Sequence, residues 1–471
     1  MIRTLRTLRF APLASFLTMT AACGGATLGS GTAAHGCSPG GNNENQHVVG
    51  DQPGGVKLSL GEIAVSPDGA YVIFQGDGRL SVGWPTLGVV EDLPLTQPTS
   101  LAFSKKRDVI YVGSAKDGAL HAIDVKTKTE LWATPIQADA TGLDGPWATL
   151  RIESSADDTR LVATGTTHVS LYDAATGKSL AEQDVTDSIV DVALLPDSAR
   201  ALVVTHETWS DGPNPLPNSK VTVLSLTDGK TRAFDVPNCA STLAVTPDGT
   251  RAFLSPTSCK FDPISLLDLT KDTEGWVRNL PGFGPLAMAK DGATAIAFVD
   301  THNLDETLFL NPGQIPAHGA GDPEYYIMTL DTKTLAFELT VVGDTLPRYT
   351  LTPDGDVLLV DAAESTTTPL RLFDTKTHTF REVVGPRVRL DNFVIASDAR
   401  HVYAIEVDLF DVDVQASVAS TIDLPFQPTN INIAPDDQTL YLRSSASDIC
   451  VFSLKTRECT ATFSGATVAT K

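Results

Sequence analysis

Two stretches of the chain set histidine beside carboxylates, the side chains of metal binding and general-base chemistry. His206 and Glu207 are followed by Trp209 and Asp211, and Asp300 and His302 by Asp305, Glu306 and, further on, Asp322. An imidazole with carboxylates can ligate a divalent cation or take a proton from water. The spacing matches no metal motif, and no His-Glu-x-x-His pair occurs. Solvated or structural histidines are the plainer expectation, so no catalytic residue, metal or cofactor is assigned. Trp147 and Trp209 are aromatics of the kind that anchor interfaces. These ten residues are the expected contacts for a protein, glycan or small ligand. Other matches fail on context. Gly36-Cys37-Ser38-Pro39-Gly40 fits a nucleophile-elbow pattern but has no strand before it or helix after it. Gly282-Phe283-Gly284-Pro285-Leu286-Ala287 loosely fits a dinucleotide fingerprint, yet Pro285 and the missing βαβ unit make it a turn.

The elements that must carry these residues are strands. In the stretch 348–384 an apolar run ends in Thr352-Pro353-Asp354-Gly355 and a second run follows at once. Pro presets φ at the second turn position and Gly closes the turn cheaply, so the two runs form an antiparallel hairpin. Related turns recur with aspartates at 68, 108, 157, 197, 248, 291, 354, 398 and 436, on average about 46 residues apart. A second marker, Asp124-Val125-Lys126-Thr127, Asp173-Ala174-Ala175-Thr176, Asp331-Thr332-Lys333-Thr334 and Asp374-Thr375-Lys376-Thr377, opens another hairpin in the same phase. Four short strands per period predict an all-β chain, a single-ring β-propeller of eight or nine four-stranded blades over residues 56–471. Residues 56–60 are expected to pair with the outer strand of the last unit, 429–464, and close the ring.

The signature resembles the YVTN-type propeller repeats, with Tyr71-Val72-Ile73-Phe74 and Ile110-Tyr111-Val112-Gly113 where that family's second strand begins. The resemblance rests on turn and strand residues and implies architecture only. No Trp-Asp dipeptide occurs, which argues against standard WD40 repeats.

In a four-stranded meander the first and third turns share one face, and here they are short. The long segments 137–147, 206–220, 300–323 and 362–369 fall on the opposite face, where a rigid scaffold can present binding loops. A binding or interaction module using that face is the primary expectation. The alternative is a lactonase-like propeller hydrolase with a metal at the channel mouth.

The N-terminus supplies an address. Residues 1–9 carry three arginines, residues 10–22 are mostly apolar, and Thr20-Ala21-Ala22-Cys23 closes the segment. It is too short to span a bilayer and reads as a signal peptide over 1–22. Its end resembles the lipobox of bacterial lipoproteins, which implies that Cys23 is lipidated, that the membrane is a partner, and a place in the cell envelope. Gly24 after the cysteine resembles outer-membrane sorting. Residues 23–55, rich in glycine, are expected to be a flexible tether. A formal charge of −22 repels phosphate backbones, so nucleic acid is not an expected partner. Strand pairing predicts disulfides Cys239–Cys259 and Cys450–Cys459, the latter pair directly opposite across a hairpin if its loop has four residues, as suits an exported chain. Cys37 is left over in the tether.

Overall fold

The turn marker works as its residues dictate. In Thr352-Pro353-Asp354-Gly355 the Gly355 amide donates to the Thr352 carbonyl at 2.8 Å. The Thr352 hydroxyl donates to Asp354 Oδ1 at 2.6 Å, and the same oxygen accepts from the Asp356 amide at 3.0 Å. Gly355 stands at φ 79°, where a side chain would be strained. The Asp-x-x-Thr turns are equally self-contained: Asp374 Oδ1 accepts from the amides of Lys376 and Thr377 at 3.0 and 2.8 Å.

The computed structural model describes residues 47–48, 56–57, 63–76, 79–114, 116–136, 151–185, 187–206, 219–236, 240–256, 264–270, 276–289, 291–300, 325–344, 347–362, 369–444, 448–464 and 467–470. These form only strands and turns, and the strands make nine antiparallel sheets of four consecutive strands each. The first strands of the nine are Ile63–Val65, Pro98–Phe103, Arg151–Ser154, Ser188–Leu194, Ala240–Val245, Phe283–Met288, Pro347–Leu351, Phe393–Ile395 and Pro428–Ile433. Each begins a blade and lies innermost. The second and third strands are buried on both faces and read as nearly unbroken apolar runs, such as Val109–Ser114. Outer strands alternate, as Thr129–Pro135 does.

The apolar core is not one mass but nine clusters, each shared by two neighbouring blades. The ninth joins Ile63, Val72 and Phe74 of the first blade to Tyr441, Val451 and Phe463 of the last. Nine seams for nine sheets make a closed ring, a nine-bladed β-propeller. At about 1.5–3 kcal/mol for each large side chain fully buried, these seams are the main source of stability.

Three expectations need correction. The stretch 282–287 is not a turn: Phe283–Met288 is the first strand of blade 6, paired with Thr294–Asp300. Of the stretch expected to close the ring, Val56–Lys57 does not join the last blade's outer strand, and residues 58–60 lie outside the described residues. Val56–Lys57 instead pairs antiparallel with the inner strand of blade 2, Val56 opposite Leu101 and Lys57 opposite Ser100. The last blade gains Thr467–Thr470 as a fifth strand on its own outer edge, and blades 9 and 1 meet through packing and the Asn432 Nδ2 donation to the Ile63 carbonyl at 2.7 Å. An inner strand has a free edge of amides and carbonyls toward the channel, and that edge offers the N-terminal segment a partner. His47–Val48, inside the stretch read as a tether, uses another such edge, parallel to Phe393–Ile395 of blade 8. The third correction concerns Cys450 and Cys459. They are bonded, with Cα atoms 5.6 Å apart, but diagonally: a bulge sets Cys459 opposite Phe452 and Cys450 opposite Thr462.

Candidate functional site

Strand direction divides the ring into two ends. Every blade's first and third turns lie at one end, the turn end. The starts of the inner strands, the second-to-third connections and the passages between blades lie at the other, the loop end.

Of the ligand contacts expected from sequence, His206 and Asp300 are placed. His206 ends the second strand of blade 4, opposite Ser188 and Ser219. Asp300 ends the second strand of blade 6, opposite Tyr325, and is 4% exposed. Both are at the loop end, with blade 5 between them. Trp147, Glu207, Trp209, Asp211, His302, Asp305, Glu306 and Asp322 lie outside the described residues, as do Cys23, Cys37, Cys239 and Cys259. Among the described residues no three His, Cys, Asp or Glu side chains gather closely enough to hold a metal. His121, His168, His378 and His401 each lie against a carboxylate on their own or an adjacent blade.

Three groups of buried polar side chains that the sequence reading did not single out lie around the inner strands, two of them at the loop end and one, in blades 3 to 5, running deeper toward the turn end. In blades 7 and 8, Arg348 stands opposite Asp361 on the first two strands of blade 7. Arg387, Arg389 and Asp391 follow on the passage to blade 8. Arg348 is ion-paired with Asp391, and Arg389 Nε lies 2.9 Å from Asp391 Oδ2. Asp361 is fully buried; its Oδ2 accepts from the Leu390 amide at 3.3 Å, and its Oδ1 has no hydrogen-bond partner. Burial pushes the Asp361 carboxyl above the usual range, although Arg348, Arg387 and Arg389 pull the other way. Desolvation likewise lowers Arg348. Guanidinium forks held in this way suit a carboxylate or phosphate.

In blades 3 to 5, acids tie the inner strands together. Glu153 accepts from the Leu194 amide of blade 4 at 3.1 Å, and Asp191 accepts from the Leu243 amide of blade 5 at 2.9 Å. Arg151 reaches Asp191 at 2.8 Å. Burial first, and the Asp191 charge second, push Glu153 up to about 8. Asp191 is raised by burial against the pull of Arg151.

In blades 8 and 9, Asn392 donates through Nδ2 to the Thr429 carbonyl at 3.0 Å, while its Oδ1 finds no partner. Asn430 and Arg443 stand opposite each other on the first two strands of blade 9. Both are more than nine-tenths buried, and Asn430 Oδ1 and Arg443 Nη1 are without partners. A signal for these residues does exist in the sequence. Asp361 and Arg443 are both the seventh residue after the turn aspartate, each a charge at the end of an apolar run.

No protein-family model and no curated protein matches the chain. Among solved structures the chain is similar to a eukaryotic initiation factor, at 12% identity over 87% of each chain with a TM-score of 0.47. It is also similar to an oligogalacturonate lyase in complex with manganese, at 14% identity over 82% of this chain and 95% of that one, with a TM-score of 0.41. Hydrazine synthase from Kuenenia stuttgartiensis gives 14% identity over 81% and 98%, with a TM-score of 0.38. At these scores the likenesses carry no argument; the fold rests on the strand pairing and the nine seams.

Proposed function

We propose that this protein is an exported, lipid-anchored propeller of YVTN-type repeats that binds a ligand or partner at its loop end and does not transform a substrate. One observation carries the choice of face. Buried polar atoms without partners collect at the loop end, among them Asp361 Oδ1, Asn392 Oδ1, Asn430 Oδ1 and Arg443 Nη1, whereas the turn aspartates are satisfied locally. A buried polar atom with no protein partner is one that a ligand or an ordered water can answer. The apolar segment before Cys23 and the glycine-rich stretch after it support anchoring in a bacterial envelope, with the outer membrane as the destination suggested by Gly24.

Two experiments test this. Cys23→Ala should move the protein from the membrane to the soluble fraction; unchanged fractionation, with no acyl mass on the unaltered chain, would refute the anchor. Replacing residues 301–323 with a tight turn, and keeping the strand end Asp300, should leave the thermal transition nearly in place, because surface loops cost little to change, but should weaken capture of a cross-linked partner. Cross-links that map to the turn end would refute the face.

A further inference from the structure

We propose that the seam between the ninth and first blades holds a site for a small hydroxylated oxyanion, anchored by Arg443 and Asn430. The inference rests on the reading of the loop end as the binding face and deepens it.

Arg443 is the next-to-last residue of the strand Thr439–Ser444 and is 7% exposed. Its side chain makes no hydrogen bond or ion pair among the described residues, and its Nη1 is buried without a partner. Burial lowers its pKa with no acid opposing the effect. Opposite it, Asn430 is 6% exposed with an unanswered Oδ1. Residues directly opposite on antiparallel strands share a face. Asn432 lies on that same face and is already committed to Ile63 of blade 1, so the face turns into the closing seam.

Blade 7 shows what is missing. Counted from the turn aspartates Asp354 and Asp436, Arg348 and Asp361 occupy the same two places as Asn430 and Arg443. There the charge on the second strand faces an opposite charge across the pair. In blade 9 the second strand carries the cation, and the place across from it holds a neutral amide. A guanidinium taken out of water without a counter-charge is costly, and an anion from solution removes that cost.

The groups also define the ligand. A guanidinium fork matches the two oxygens of a carboxylate or phosphate. Asn430 Oδ1 needs a donor beside that anion. A hydroxyl fits better than an ammonium, because among the described residues no acid acts on Arg443 or balances a second cation, and Arg443 would repel it. A 2-hydroxy carboxylate and monoprotonated phosphate share this chemistry.

The test is a thermal-midpoint titration of the purified full chain with glycolate, inorganic phosphate, acetate, glycine and glycolamide. Glycolate or phosphate should raise the midpoint, and the one acting at lower concentration identifies the source. Acetate, lacking the hydroxyl, should need about tenfold more, the worth of one hydrogen bond. Glycine and glycolamide should leave the midpoint unmoved. Asn430→Asp sets a carboxylate opposite Arg443, and should raise the midpoint without ligand and abolish the anion response. Arg443→Met should abolish it too; should that variant fail to fold, Asn430→Asp still decides. No response to either oxyanion, or a response that survives Asn430→Asp, overturns the site. Partner capture at the loop end would then stand unaffected, whereas capture mapped to the turn end would refute the face and leave the anion titration as it was.

Discussion

At the turn end, polar side chains are answered, either within their own turn or by the turn of the next blade; at the loop end several are buried and left without a hydrogen-bond partner. Thr246 and Asp248 close their own turn, with the Thr246 hydroxyl 2.6 Å from Asp248 Oδ1. Neighbouring turns then lock by shape, Gly249 against Pro196, Gly292 against Pro247, and Gly69 against Pro435 across the closing seam. At two of the places without glycine an aspartate makes the link, Asp437 accepting from the Ser397 amide at 3.0 Å. Asp158 takes the Ser104 hydroxyl at 2.7 Å and Arg107 Nε at 2.8 Å from blade 2. Asp361 and Arg443 at the loop end, and Glu153 deeper on the inner strand of blade 3, show the opposite condition: charge in a dry place, hydrogen-bonded by one backbone amide or by nothing. Polar groups at the turn end are spent on architecture, while at the loop end they cost stability, and groups that cost stability are candidates for function.

This contrast can be broken by substitutions of opposite sign. The largest effect is expected at Glu153. Its carboxyl sits at about 8 in the fold against an ordinary 4.5, so the folded state holds its proton longer than the unfolded one. Stability therefore falls as pH rises from about 4.5 and is lowest above about 8. Glu153→Gln should flatten that fall and stabilise the protein by up to about 4 kcal/mol at high pH, with little change at pH 4. Urea unfolding at both ends of the range measures it; a wild-type-like pH slope in the variant would refute the assignment. At the turn end, Gly292→Ala should destabilise by about 2 kcal/mol. Gly292 stands at φ 66°, and the added Cβ would meet Pro247 Cδ at 2.3 Å. Partner capture at the loop end should survive this change. The smallest effect sharpens the same point: Ala399 occupies the glycine place at φ 57°, and Ala399→Gly should gain about 0.5 kcal/mol, relief of strain exceeding the entropy lost.

The turn end was legible because its chemistry is local. Thr-Pro-Asp-Gly and Asp-x-x-Thr state their own hydrogen bonds, and nine aspartates in phase gave the blade range that the nine seams resolve. Ring closure was not legible in Val56–Lys57: a short alternating strand pairs with any free inner edge, and which edge it meets is decided across the whole chain. The buried charges were hidden for a related reason. Arg443 reads in sequence as an ordinary strand end, and only the strand pairing shows that Asn430, not an acid, stands opposite it. The two loops that set histidine beside acids stand out by composition, yet the two placed residues, His206 and Asp300, end strands two blades apart.

The closing seam has a consequence for how the molecule comes apart. The four meander strands of each blade are one continuous length of chain, with only the short N-terminal strands added from elsewhere, to blades 8 and 2. The ring is thus a linear array of nine repeats bent until its ends meet, with no strand exchanged between the end units. Linear arrays of this kind need capping repeats with polar outer faces. Here blades 1 and 9 cap each other, through Ile63, Phe74, Tyr441 and Phe463. Opening that single junction exposes two uncapped apolar faces at once, so the junction acts as a cooperativity switch. While it holds, the nine repeats unfold together; once it opens, they can peel from both ends.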